Sequence, residues 1–187
     1  LEVDGEILRK AINQVINSVS LSDNRAEMNG IFFDIQKQNI KIVATDSFRL
    51  AEKTVQDISL HDFLKNEKGE QFILPYKTAQ EILKIMEGKN KVKIFLSEGQ
   101  VYFETEDIHM VSRIIEGEYP DYKQIIPKSF KTKITMKKSD LASATKLSSL
   151  FSSKINDIKL KTNKKTSQLE ISAKDFELGE NDSEIDA

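Results

Sequence analysis

Asp46 is the side chain best placed by sequence for acid–base or metal chemistry. It stands in ATDSFRLA (44–51), where an apolar strand carrying Ile40, Ile42 and Val43 runs into the polar corner Thr45-Asp46-Ser47. Extended structure resumes at Arg49-Leu50. A catalytic carboxylate needs a partner: a second acid, a histidine, or metal ligands at fixed spacing. The sequence supplies none. His61 lies in a polar loop and His109 in a strand, neither with HxH or HExxH spacing, and no DxD-type pair closes a strand. Glu104–Asp107 reads as a charged hairpin edge, and the 7 glycines are scattered without a phosphate loop. Asp46 is therefore expected to cap the corner by accepting backbone amides. These residues imply neither an enzyme nor a metal or cofactor.

The elements that position this corner follow from periodicity. An amphipathic helix is predicted over 5–19, with Ile7, Leu8, Ala11, Ile12, Val15, Ile16 and Val19 on one face. Strand patterns follow at 31–37, 40–46 and 49–56, with a hairpin turn at Gln38-Asn39. A second helix at 76–87 ends at Gly88, and strands follow at 91–97, 100–106 and 108–115. EGEYPDYKQIIP (116–127) holds two prolines and reads as a linker. Beyond it come a strand at 131–137, a helix at 138–151 and strands at 156–163 and 167–174.

The pattern is a helix followed by three strands, twice, then a third copy cut short. Such a cassette packs its apolar stripe on its meander, and two cassettes close an α+β domain. We therefore expect a complete domain over 1–115, a linker over 116–130 and half of a second domain over 131–187. Val15, Ile16, Phe33, Ile42, Ile82, Leu83 and Phe95 are its expected core. The sequence begins at Leu1 and stops at Ala187 as a strand pattern begins, so it reads as a piece of something longer.

Composition narrows the classes further. With 39% hydrophobic and 31% charged residues the chain reads as globular, and no apolar run approaches a membrane span. The absence of cysteine excludes disulfides and fits a cytoplasmic setting. A net charge of −2 conceals segregation: residues 123–165 carry a net +10 and residues 166–187 a net −6. A basic block of that size can hold a polyanion.

The segments ATDSFRLA and EGEYPDYKQIIP together resemble those of the bacterial DNA polymerase III β subunit family, the sliding clamps. The resemblance implies a DNA-clamp fold covering the family's middle domain and the first half of its C-terminal domain. It also implies a peptide-binding pocket lined by Arg25, Met28, Thr45, Ser47, Phe48, Arg49, Leu50, Pro120, Gln124 and Ile125. Two departures stand out: Ser47 occupies a position often held by glycine, and Gln124 one often basic. Helices line the central hole of the family's ring, which would turn Arg9, Lys10, Asn13, Asn17, Lys77, Lys84, Lys138 and Lys146 toward duplex DNA. Such residues attract phosphates without reading bases, as sliding requires. The loop Ser20–Asn24 would face the hole too.

In DFELGENDSEIDA, Glu177, Glu180, Asp182 and Glu184, with Leu150 and Phe151, resemble the family's subunit interface. The implied function is a processivity factor that encircles DNA as a head-to-tail homodimer. Its partners would be duplex DNA, the polymerase III catalytic subunit, the clamp loader and other clamp-binding peptides, with no membrane. Two other readings remain at this level. One is a peptide-binding adaptor that reuses the domain without encircling DNA; the other is a nuclease built on Asp46.

Overall fold

The computed structural model describes residues 1–22, 25–56, 69–89, 91–154 and 157–186. Asp23, Asn24 and His61 lie outside them. The chain divides into two compact units, Leu1–Ile126 and Pro127–Ala187.

Unit 1 runs β1 (Glu2–Asp4), α1 (Gly5–Val15), β2 (Gly30–Ile35), β3 (Asn39–Thr45) and β4 (Leu50–Gln56). It continues with β5 (Glu70–Pro75), α2 (Tyr76–Ile85), β6 (Lys91–Ser97), β7 (Gln100–Glu104) and β8 (His109–Arg113). Asp4 starts α1 by accepting the Ile7 amide at 2.9 Å. Leu8, Ala11, Ile12 and Val15 recur at helical spacing and are buried. Ile7, expected on that face, is 49% exposed because it sits one step around the helix from Leu8. The regular helix ends at Val15 and tightens into a 3₁₀ turn, Ile16–Ser18. Helix α2 ends at Ile85, and Gly88 beyond it takes the left-handed conformation, φ 72°, that favours glycine.

Two antiparallel sheets result, ordered β4-β3-β2-β5 and β1-β6-β7-β8. Each meander follows its own helix, but its fourth strand comes from the other cassette. The unit of repetition is thus strand–helix–three strands, with the leading strands exchanged. The exchange interlocks the halves, since β1 pairs across the chain with β6, Val3 opposite Val92. Both helices and the inner faces of both sheets share one core, which includes Leu8, Ile12, Phe33, Ile42, Ile82 and Ile94. Phe33 stacks on Phe72 with ring centroids 4.7 Å apart. Leu83 packs against this core only partly buried. Phe95 does not join it: β6 turns Val92 and Ile94 inward, so Phe95 projects outward at 45% exposure.

Unit 2 comprises α3 (Lys138–Ser149), β9 (Lys159–Asn163), β10 (Gln168–Asp175) and β11 (Gly179–Asp186), in the sheet order β11-β10-β9. Ala144, Leu169, Ile171 and Ile185 form its core. Two expectations change here. Residues 131–137 form no strand, although Ile134 and Met136 pack on the core. They lead into α3 as β1 leads into α1, but β1 finds its partner in a second cassette, and residues 127–187 contain only one. The acidic stretch, by contrast, forms a full strand: β11 pairs with β10 from Gly179 to Asp186. No helix among the described residues is long and apolar enough to cross a membrane.

Candidate functional site

Alternation along β2, β3 and β5 sends Phe33, Ile42 and Phe72 into the core and Phe32, Val43 and Ile73 to the opposite face. Phe32 lies opposite Val43 on one side and Ile73 on the other, so the three form a row across the sheet. An apolar row on an outer face must be covered, and the segment after β8 covers it. The Ile115 amide donates to the Ile73 carbonyl at 2.9 Å. The Tyr119 ring lies flat on Phe32, centroids 4.8 Å apart. Tyr122 is buried and donates its hydroxyl to Glu52 Oε2 at 2.7 Å. Lys123 Nζ stands 3.6 Å from Asp34 Oδ2, and that buried carboxylate also accepts from Gln36 and Gln71 at 3.1 Å each.

This strap's two tyrosine hydroxyls are shielded from water, although most of the strap is exposed. Burial pushes the Tyr119 phenol up to about 12. Its hydroxyl makes no well-formed hydrogen bond, although the Thr45 backbone lies close enough to draw the pKa partly back. Burial also raises the Tyr122 phenol, and its bond to the Glu52 carboxylate raises it further.

At one end of the row lies the polar corner. Asp46 Oδ1 accepts the amides of Phe48 at 3.0 Å and Arg49 at 2.7 Å. Its Oδ2 accepts the Arg49 guanidinium at 3.0 and 2.9 Å. The Arg49 amide is the main cause holding the Asp46 carboxyl below its ordinary value. Its oxygens are thus committed to the turn, as capping requires, rather than to a nucleophile or metal. Thr45 donates its hydroxyl to the Arg49 carbonyl at 2.7 Å and accepts the Ser47 amide at 3.2 Å. Ser47 has φ 75°, which explains physically why glycine suits that position. Ser47 Oγ and Arg25 Nη1 each approach the sulfur of buried Met28 at 3.8 Å.

The structure therefore links Arg25, Met28, Thr45, Ser47 and Arg49 around one corner, with half-buried Leu50 leading into the apolar row. Phe48 stands 96% exposed at its tip. Pro120 is half-buried on the strap, and Gln124 and Ile125 lie in a 3₁₀ turn, Tyr122–Ile125. Gln124 bonds Asp121 at 2.7 Å and Ile125 is exposed; neither hydrogen-bonds to the corner. Sequence reasoning missed Phe32, Val43, Ile73, Tyr119, Tyr122, Asp34 and Glu52. The available signal was apolar residues at both phases of β2, β3 and β5, which marks a sheet covered on both faces.

The helix faces are a separate surface. On α1, Lys10 and Asn13 are exposed, as is Asn17 just beyond it, while Arg9 is half-buried and bonds Glu6 at 3.2 Å. That bond is the main cause holding the Glu6 carboxyl low. On α2, Lys77 is exposed and Lys84 pairs with Glu81 at 2.9 Å. Lys138 and Lys146 are exposed on α3. In unit 2, Glu177, Glu180, Asp182 and Glu184 are exposed, Leu150 is 65% exposed and Phe151 is half-buried. Lys174 pairs with Glu180 at 2.8 Å and lowers its pKa.

Interlocked strand–helix–meander cassettes of this kind define the DNA-clamp fold of α+β class. The sliding clamp of Bacillus subtilis matches with a TM-score of 0.88 and 27% identity, covering 99% of this chain and 48% of that one. The DNA polymerase III β subunit of Thermotoga maritima gives a TM-score of 0.84 and 26% identity over 100% of this chain and 49% of that one. Residues 2–121 match the family model for the central domain of the DNA polymerase III β subunit, and the chain belongs to that family. The β sliding clamp of Staphylococcus aureus is 28% identical over 188 residues, 100% of this chain. The chain spans about half the length of such curated relatives, 48% here.

Proposed function

We propose that this chain acts as part of a replication processivity clamp and that unit 1 carries its peptide-docking pocket. The support is the juxtaposition of a rigidly bonded corner, Thr45 to Arg49, with the apolar residue Leu50 beside a strap-covered row. An extended peptide bearing a leucine–phenylalanine pair would lay its apolar side chains against Met28, Leu50, Pro120 and Ile125. Thr45, Ser47 and Arg49 would meet its backbone at the rim. A corner fixed by its own hydrogen bonds loses little entropy on binding, which favours a preformed site. In this reading the complete protein closes head-to-tail around duplex DNA. Arg9, Lys10, Asn13, Asn17, Lys77, Lys84, Lys138 and Lys146 then contact phosphates, and Leu150, Phe151, Glu177, Glu180, Asp182 and Glu184 meet a neighbouring subunit. The polymerase catalytic subunit and the clamp loader are the partners for the pocket, and the protein itself catalyses no reaction.

The test is a titration of a labelled peptide of that kind against the full-length protein, with and without Leu50→Asp. A carboxylate placed among apolar side chains without a partner costs several kcal/mol, so affinity should fall by about two decades or more. Leu50 is half-buried against the apolar row, so the variant should also melt below wild type, and the titration is made at a temperature where both proteins are folded. Unaltered affinity in Leu50→Asp would place the pocket elsewhere.

A further inference from the structure

Pro120 and Ile125, two residues of the docking pocket proposed above, both stand on the strap that covers Phe32, Val43 and Ile73. Neither lies in a strand, so no ladder of backbone hydrogen bonds fixes where they stand. A side chain between them is fixed instead. Tyr122 is buried in the row, and its hydroxyl donates to Glu52 Oε2 at 2.7 Å. Glu52 pairs with Val43 across the sheet and stands two residues beyond Leu50 on the same face of β4. Its other oxygen accepts Lys41 Nζ at 3.4 Å, so both oxygens are engaged. A short bond from a hydroxyl to a carboxylate is among the stronger hydrogen bonds a protein makes.

Two local structures carry this anchor to the pocket. Toward the N-terminus, the Tyr122 amide donates to the Pro120 carbonyl at 2.7 Å. Asp121 between them has φ −70° and ψ 79°, the geometry of an inverse γ-turn. Toward the C-terminus, Tyr122 opens the 3₁₀ turn that carries Gln124 and Ile125, and Gln124 Nε2 reaches back to Asp121 Oδ2 at 2.7 Å. A shift of the Tyr122 ring would therefore move Pro120 and Ile125 together. The neighbouring contact, Lys123 Nζ at 3.6 Å from Asp34, is longer and its lysine is 56% exposed, so it holds less firmly. We propose that Tyr122 and Glu52 are positioning residues for peptide docking: their hydrogen bond sets where Pro120 and Ile125 stand relative to Leu50. The inference rests on the docking reading and adds that recognition depends on a buried pair the peptide does not touch.

The test is a titration of the labelled leucine–phenylalanine peptide against the full-length protein, at a temperature where every variant is folded. Tyr122→Phe keeps the buried ring and removes only the hydroxyl; it should weaken the peptide about fivefold. Glu52→Ala should weaken it to a similar degree. The double variant should lose less than about twofold beyond either single one, because both substitutions remove the same bond. Glu52→Gln, whose amide oxygen can still accept the hydroxyl, should return affinity to within about twofold of wild type. Rescue and non-additivity separate positioning from a general loss of stability. Loss of affinity in Leu50→Asp with full affinity in both Tyr122→Phe and Glu52→Ala overturns this inference and leaves the docking reading standing. Full affinity in Leu50→Asp overturns both. Additive losses in the double variant, or no rescue by Glu52→Gln, also overturn the positioning role.

Discussion

The corner between β3 and β4 and the corner between β10 and β11 are built by one device and stand in different company. Asp46 accepts the amides two and three residues ahead, and so does Asp175, from Glu177 at 2.8 Å and Leu178 at 3.1 Å. Each turn leaves a phenylalanine in water, Phe48 at 96% and Phe176 at 101% exposure. The first corner opens onto Leu50 and sits against buried Met28; the second leads into Glu180, Asp182 and Glu184. They also place their left-handed residue differently, at Ser47 in unit 1 and at Gly179, φ 102°, in unit 2. The difference teaches that the duplicated cassette repeats a backbone solution, while the neighbouring side chains decide what each corner can hold.

Removing the shared cap is the severest way to break the comparison. Asp46→Ala strands two amides and releases Arg49, at an expected cost of about 2–3 kcal/mol in unit 1. The acid limb carries the sign. The Asp46 carboxyl is held below its ordinary 3.8, so its contribution is fully present above that value. It is lost as pH falls through the lower folded value. Urea melts across a pH series should therefore show a gap between wild type and Asp46→Ala at neutral pH that closes below about pH 4. A gap independent of pH would mean the cap works through its shape alone.

The left-handed positions give the next two effects, of opposite sign. Gly179→Ala forces an L side chain into φ 102°, and should destabilise unit 2 by about 1 kcal/mol or more. The added Cβ would sit 3.9 Å from the Phe151 ring, an ordinary contact, so the cost is conformational rather than steric. Ser47→Gly should do the reverse. It relieves strain of about 1–2 kcal/mol and gives part back through the freer unfolded chain, leaving a gain of about 0.5 kcal/mol. Hydrogen exchange at the β10–β11 and β3–β4 amides separates the two. Equal signs at the two sites would mean that Ser47 is not strained.

The corner was legible in the sequence, and much of what surrounds it was not. Asp46 reads as a cap because its neighbours Thr45 and Ser47 are turn-formers and no chemical partner stands at useful spacing. Helices α1 and α2 follow from their apolar spacing, with ends misjudged by a few residues where 3₁₀ geometry or Gly88 takes over. The exchanged strands were invisible. β1 is three residues long, and its partner β6 lies near residue 92, so no local period records the pairing. Phe95 was misplaced because Ile94-Phe95-Leu96 is apolar at both phases, and only pairing with β7 decides which phase faces inward. The strap escaped notice because its prolines suggest a passive linker, whereas Tyr119, Tyr122 and Lys123 anchor it to the sheet.

The exposed phenylalanines are where the two corners should differ in binding while agreeing in stability. Neither ring is buried, so Phe48→Ala and Phe176→Ala should each change the melting temperature by an amount equivalent to less than about 0.5 kcal/mol. Binding of a leucine–phenylalanine peptide is the discriminating measurement. Phe48 adjoins Leu50 at the rim of the proposed pocket, and its truncation should weaken that peptide several-fold, roughly 1 kcal/mol of lost apolar contact. Phe176 adjoins carboxylates and no apolar row, so its truncation should leave the same affinity untouched. Were both variants to lose affinity equally, the corner itself would be the recognition element, and its surroundings would not decide which of the two binds.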